Sequence, residues 1–524
     1  MSHIHSYNED VDVTLFHTID QHAQKVPMHN IYSEDGLMQY LSVPIGLQDK
    51  NRNIYLARSV IAFLSEVNIA RRKSTYNVAR SMTEIIYGSP TDSFRTLCCN
   101  AGIEAEVITG KSKGSNYQPG VQEEDCLQES KWCAFKSSGT WHLVHPQWAI
   151  VSMYGFGYGG QLIEGDGRIN IQSRLQVHGQ TINAFNDFWF CTKPEIFIHH
   201  CYPDNSDWQL LPGPNKTSGQ FFSIPFLQQG YYEAGLELLS EYSCSLSSTK
   251  GVCIITFSDK HVARNLEFSY TLTLKSGDIS GVRWDDLSQL VMFIPEVDMY
   301  TFKINLPVKG MYLFEIMVIA DDIVTNASCA DFKITCTEAC TNCRKVPFNV
   351  GIEGFGYGNE AKKAGLKHPS EKTPVLVLNS PELEVGSDCE DEIIDFQIDS
   401  DRVNEVEFTS DIIGGVNREA VRTSTYVDGE KGRLVVKAGM KKTGDFTLAI
   451  KAREKEQGAD FKTVLNYMLT TDSGEREFYR KHEKVVKQRR REITKEQKVV
   501  DKTRRKRELL MEIEELNTST SALW

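Results

Sequence analysis

The chain has 524 residues, 40% of them hydrophobic and 24% charged, with a formal net charge of −12. That length exceeds what one core supports, so three or four domains are expected, and the acidic balance argues against nucleic-acid binding by the chain as a whole. No run of about 18 apolar residues offers a membrane span.

The N-terminal MSHIHSYNEDVDVTLF has neither a basic nor an apolar signal region, and 13 cysteines fall at irregular spacings. Reduced thiols and a cytoplasmic location, extending to the cytoskeleton, are the expectation. Residues 1–30 read as a flexible lead-in. Its histidines (His3, His5, His17, His22, His29) read as surface groups rather than metal ligands. From Asp49 the pattern turns helical. Ile54, Ala57, Val60, Ile61 and Leu64 share one face, and Arg52, Ser59 and Glu66 share the other. A second helical segment runs about Tyr76–Tyr87, and a third starts near Thr91 or Asp92, two acceptable N-caps, carrying Phe94 and Leu97 inward.

Ala105, Val107 and Thr109 then alternate as a strand. An exposed loop, SNYQPGVQEEDCLQES, leads to a hairpin with arms Trp132–Lys136 and Trp141–His145 and a Ser138–Gly139 tip. Counting back from that tip sets Trp132 opposite His145 and places Ser130 diagonally from His145 on one face. The glycine-rich MYGFGYGGQLIEGDGR reads as a wide turn rather than a phosphate loop. FNDFWFCTKPEIFIHHCYPDNSDWQLL is dense in aromatics and closes a core.

Short alternating runs at regular spacing follow in two sets, the pattern of two β-sandwiches, separated by a break at residues 346–370. The last segment, from Glu475, has helix formers and neither Gly nor Pro after it. Tyr479, Val486, Ile493 and Val500 recur every seventh residue, but the companions His482, Arg489 and Glu496 are polar. Half a coiled-coil seam on a basic helix suggests a solvated helix that contacts an acidic protein surface, lipid or RNA. Cys329, Cys336, Cys340 and Cys343 fall close together. The Cys340-x-x-Cys343 half suits zinc but lacks a second close pair, so no metal and no cofactor are expected.

Three stretches together resemble the kyphoscoliosis peptidase/hillarin family of transglutaminase-like proteins. They are FRTLCCNAGIEAEVITGKSKG, KWCAFKSSGTWHLVHPQW and the aromatic closing segment, supported by FFSIPFLQQGYYEAGLELLS downstream. The resemblance covers roughly residues 31–470. It implies an α+β fold: a flexible segment 1–30, a transglutaminase-like (papain-like) core at 31–212, β-sandwiches at 213–345 and 346–474, and a charged helical tail at 475–524. By the same resemblance, the family's catalytic Cys, His and Asp positions are occupied here by Tyr87, Ser130 and His145. A tyrosine hydroxyl with a pKa near about 10 lacks a thiol's nucleophilicity at neutral pH. No cysteine precedes Cys98 and no histidine lies between His29 and His142, so a shifted alignment restores nothing. Cys98, Cys99 and Cys133 read as packed thiols. The implied function is a non-catalytic scaffold with cytoskeletal protein partners; the alternative is a peptidase or acyl transferase using a Ser130–His145 dyad.

Overall fold

The computed structural model describes residues 4–7, 10–46, 49–71, 80–114, 117–120, 128–150, 152–154, 161–162, 180–182, 185–260, 266–277, 289–319, 327–340, 343, 345–346, 350, 353–378, 392–413, 421–455 and 460–521. The fold is mixed α+β. It forms two compact units: residues 1–233 with 323–331 and 502–524, and residues 234–322 with 332–501.

The first unit is built around α3 (Arg52–Arg71). Against it pack α1 (Thr14–Ala23), α2 (Glu34–Leu41) and α5 (Pro90–Asn100), with α4 (Arg80–Tyr87) leading into α5. An antiparallel five-stranded sheet covers the helices. Its order is Phe190–Thr192, β3 (Thr140–Val144), β2 (Gln128–Ser137), β1 (Ala105–Ser112), Cys201–Pro203.

Two expectations fail here. The N-terminal lead-in is folded: Phe16, Ile19 and Ala23 of α1 are buried, His5 Nδ1–H donates to the Phe190 carbonyl, and the Lys193 N–H donates to the Ile4 carbonyl. Its apolar stripe has the i, i+3, i+7 spacing of a helix, but histidines and glutamines dilute it. Of the histidines read as surface groups, His5 is buried and His22 stacks on Tyr40. The second failure is the two-faced reading of α3. Ser59 is fully buried, its hydroxyl donating to the Leu41 carbonyl, and Arg58 is 3% exposed. Arg58 survives burial because its guanidinium bonds both Asp20 carboxylate oxygens and Asp187, and lies over the Phe185 ring at 4.0 Å.

The aromatic closing segment enters the core as read, with Phe188, Trp189, Phe190 and Phe197 all buried. Tyr117 in the expected loop is buried, and its last residues extend β2, which starts at Gln128; residues 121–127 lie outside the described residues. So does most of the glycine-rich stretch, residues 155–160 and 163–168.

Two pairs of facing four-strand paths follow the first sheet. In the first pair, Leu236–Leu238, Val252–Asp259, Met299–Asn305 and Val291–Glu296 face Ser245–Ser248, Ala327–Cys336, Gly310–Ile319 and Glu267–Gly277. Phe268, Phe293, Phe302 and Phe314 interlock between them. In the second pair, Leu366–Lys367, Glu392–Ile398, Arg433–Met440 and Val421–Asp428 face Val375–Val377, Lys462–Thr470, Phe446–Glu454 and Val406–Ile413. Alternate residues such as Ile394, Phe396, Leu434, Val436, Leu448 and Leu465 fill that core.

The C-terminal helix runs Ser473–Ser521. Its first turns are seated rather than solvated, which corrects the sequence reading. Tyr479 and Val486 are buried, and Tyr479 joins Met292, Ile294, Val346, Phe355, Val375 and Met468 in a small core between the two sandwiches. One of the polar companions that spoil a coiled-coil seam, His482, fits this seat, and Arg490 and Glu475 join it. His482 bonds Thr256 through Nε2, Arg490 donates to Asp298, and Lys303 pairs with Glu475 beneath the Phe478 and Tyr479 rings.

Candidate functional site: the Ser130–His145 hairpin

The site is assembled by local rules. Pro90 sits at the first position of α5, where its missing N–H costs nothing, and Ser89 precedes it in extended conformation. The helix therefore starts earlier than Thr91 or Asp92. Thr91 instead donates from its hydroxyl to the Lys131 carbonyl of β2, tying the helix start to the hairpin. Gly88 closes the last turn of α4, its N–H donating to Glu84; a Cβ there would lie 2.1 Å from the Glu84 carbonyl oxygen. Tyr87 is the last residue of α4 and 41% exposed. A helix C-terminus carries the negative end of the peptide dipoles, which opposes an anionic nucleophile.

The hairpin has the register that counting gave. Lys136 pairs with Trp141 and Cys133 with Val144, and Ser138 (φ 47°) and Gly139 (φ 79°) form the two-residue turn. Ser130 pairs with Gly110 of β1. A Cβ on Gly110 would lie 2.2 Å from the Tyr202 carbonyl oxygen and 2.6 Å from the Trp132 ring, so a bare backbone is needed for this part of the sheet to close.

Ser130 Oγ and His145 Nε2 are 3.2 Å apart. Chemistry at this pair depends on the other ring nitrogen. The Trp148 backbone N–H, which can only donate, meets His145 Nδ1 at 3.3 Å. Nδ1 is thus an acceptor without a proton, the neutral ring carries its proton on Nε2, and Nε2–H donates to Ser130 Oγ. A general base needs the reverse tautomer. His145 is also spent structurally. Pro146 begins α6 (Pro146–Ile150), so the imidazole caps the third N–H of that helix while its own carbonyl accepts from Ala149. The ring is buried and stacked 4.0 Å from Trp148, and burial pushes its pKa down to about 3. Imidazolium, which a base must become, is disfavoured.

The two buried thiols nearby are similarly inert. Cys133 donates from Sγ to the Thr91 carbonyl, and burial holds both Cys98 and Cys133 well above the ordinary thiol range. Cys99, read from sequence as packed, is instead exposed because it lies on the outer side of the end of α5, and its thiol donates to the Ala105 carbonyl at 3.7 Å. Of the cysteines weighed for zinc, Cys329 and Cys336 are buried near opposite ends of one strand, while Cys340 and Cys343 are partly exposed beyond it. Among the described residues, no group of three or more His, Cys, Asp or Glu is gathered as a metal site.

Sequence reasoning missed the capping role of His145, although the signal is visible: a proline at 146 marks the first helical position, so residue 145 is the cap. It also missed Arg58 with Asp20 and Asp187, partners 38 and 129 residues away.

A family model described as the KY-like, immunoglobulin-like domain matches residues 219–347. The Caenorhabditis elegans "Lim and transglutaminase domain protein ltd-1" is 26% identical over 225 residues, 43% of this chain and 29% of that protein. Drosophila melanogaster "Hillarin" is 27% identical over 261 residues, 47% of this chain and 30% of its own. Mus musculus "Kyphoscoliosis peptidase" is 20% identical over 473 residues, 88% of this chain and 62% of its own. The chain thus spans less than two thirds of these relatives' lengths. Among solved structures, the D00–D0 domain of intimin covers 45% of this chain and 99% of its own at 12% identity, with a TM-score of 0.13, too low to bear on the fold.

Proposed function

Because the chain belongs to the kyphoscoliosis peptidase/hillarin family, we propose that it is a non-catalytic member, a transglutaminase-like frame that works by binding other proteins. One observation carries this reading: both nitrogens of His145 are committed, Nδ1 as helix cap acceptor and Nε2–H as donor to Ser130. The seryl hydroxyl therefore receives a proton where an activated nucleophile must surrender one. Tyr87 at a half-exposed helix end supplies no thiolate in its place.

The scaffold role comes from the family and from the large surfaces of the sandwiches. The partners we propose are cytoskeletal proteins, and the division at 31–212, 213–345 and 346–474 is the corresponding assignment of modules. The 3.2 Å contact favours a second reading, a Ser130–His145 hydrolase or acyl transferase. It requires proton exchange between the ring nitrogens and loss of the Trp148 bond.

One experiment separates the two. Purified full-length protein is incubated with casein, with and without a primary amine donor, beside Ser130→Ala. Non-catalysis predicts no cleavage and no amine incorporation in either protein. Turnover that vanishes in Ser130→Ala would establish the dyad. Co-sedimentation with cytoskeletal filaments tests the scaffold role, and its failure across filament types removes the proposed partner class.

A further inference from the structure

The C-terminal helix is seated by one face, and the opposite face carries its charge. At about 100° of turn per residue, Tyr479, His482, Val486 and Ile493 share an arc of about 60°. That arc is the seat: Tyr479 and Val486 are buried and His482 bonds Thr256. Centred about 150° away, Arg480, Lys484, Lys487, Arg491, Lys495 and Lys498 share a second arc of about 80°. Every one of these side chains is exposed. Between Arg480 and Lys498 the helix has nine Lys or Arg and three acidic residues, where the whole chain has 58 and 70. The sign of the charge is reversed there, and the three acids, Glu483, Glu492 and Glu496, all lie off the second arc.

The cations form a straight row. Steps of three and four residues set them about 5.4 Å apart on average, over about 27 Å of helix. Among the described residues, the one ion pair on the row is Lys487 with Glu483 at 2.5 Å, exposed at both ends and worth little. Arg490 turns the other way and donates to Asp298. The seat fixes which face looks outward, so the row is presented without first having to be ordered. Its chemistry narrows the partner. The arc holds no apolar side chain of the kind that anchors a helix in a bilayer surface. A nucleic-acid duplex carries one charge per about 1.7 Å, and, like a bilayer, it would bring much of that charge against an acidic chain. A single helix, about 10–12 Å across, meets the row alone.

We propose that this row docks an acidic α-helix of a protein partner, one whose carboxylates recur at three- and four-residue steps along one face. Such a helix repeats its charges at the same spacing of about 5.4 Å, so several pairs form in register when the two helices run side by side. Each exposed pair contributes little by itself, and the register makes the row selective for spacing as well as for sign. Binding therefore weakens steeply with salt. The proposal rests on the reading that the chain works by binding proteins, and it names one surface for that role.

The test measures fluorescence anisotropy of labelled helical peptides with full-length protein at low and physiological salt. One peptide carries glutamates on one face at three- and four-residue steps; a second has the same composition with the glutamates spread around the helix. The expected result is binding of the first peptide about tenfold tighter than the second. The triple variant Lys484→Glu, Arg491→Glu, Lys498→Glu should lose about tenfold or more. Lys250→Glu, Lys441→Glu, Lys442→Glu makes the same change in net charge at exposed positions off the helix and should bind as the parent. Equal binding of both peptides, or equal loss in the two triple variants, would overturn the row as a spaced site. Tighter binding of phosphatidylserine vesicles or duplex RNA than of the first peptide would overturn the partner class. Should the reversal unfold the helix, Lys484→Gln, Arg491→Gln, Lys498→Gln decides, with a loss of about threefold expected and no loss overturning the proposal. The peptide readout needs no filament, so it can fail while filament co-sedimentation succeeds, and the reverse.

Discussion

Two buried polar sites meet the same problem in opposite ways. At the hairpin of the first unit, His145 is neutral, and its partners, Ser130 and Trp148, are fifteen and three residues away. On the outer face of the first sandwich, Lys303 is 4% exposed and finds a carboxylate, Glu475, 172 residues away. Desolvation is tolerated at the hairpin by giving up charge and at the helix seat by pairing it. A site with its proton fixed by a helix cap is poor equipment for proton transfer. A site whose charge is matched by a distant helix couples the end of the chain to a sandwich.

The comparison is broken most severely by removing the aromatic centre of the helix seat. Tyr479→Ala deletes a buried ring and its O–H···S contact to Met292 Sδ at 3.0 Å. A loss of about 3 kcal/mol is expected from comparable aromatic truncations. Denaturant unfolding measures it, and a change under about 1 kcal/mol would mean that the helix is not seated in solution. Glu475→Gln probes the charge alone. It keeps the shape and leaves the Lys303 ammonium without its anion, at a cost of about 2 kcal/mol. Lys303→Met in the same background should recover part of it, because the unpaired charge is then gone.

A pH experiment sharpens the comparison further along the same helix. Burial pushes the Glu296 carboxyl up to about 7, with Asp298 adding to the rise and Arg490 opposing it. Between the ordinary 4.5 and about 7, the folded state keeps a proton that the unfolded state has released. This group therefore favours folding most at the acid end of that window, and its contribution falls as pH rises until it levels above about 7. Glu296→Gln should flatten that part of the profile. Unfolding midpoints at several pH values, parent beside variant, measure it; parallel curves would refute the assignment.

What could be read from sequence follows the same division. The hairpin register was legible because a Ser-Gly tip and period-two alternation fix which residues face each other, and Ser130 with His145 follows by counting. The sandwiches were legible from alternation alone. The helix seat was not: Tyr479, His482 and Val486 look like a defective coiled-coil seam until the polar outer face bearing Thr256 and Lys303 is brought against them. Arg58 hid for the same reason, since an arginine in a helix reads as solvated unless two distant aspartates are known to meet it.

The smallest effect belongs to the site that first suggests catalysis. Ser130→Ala removes one neutral hydrogen bond and leaves His145 Nε2–H to reorganise, so the loss should be about 1 kcal/mol or less. The same tautomer makes a sharper spectroscopic prediction. With its pKa near 3, His145 should show no ring titration between pH 5 and pH 8 by NMR, and its ring nitrogens should report the Nε2–H form. Ser130→Ala should leave that tautomer in place, because the Trp148 N–H, not the serine, fixes it. A tautomer switch in the variant would mean that Ser130 had been holding the proton on Nε2. A titration near pH 6 to 7 in the parent would restore His145 as a base and return the hairpin to the enzymes.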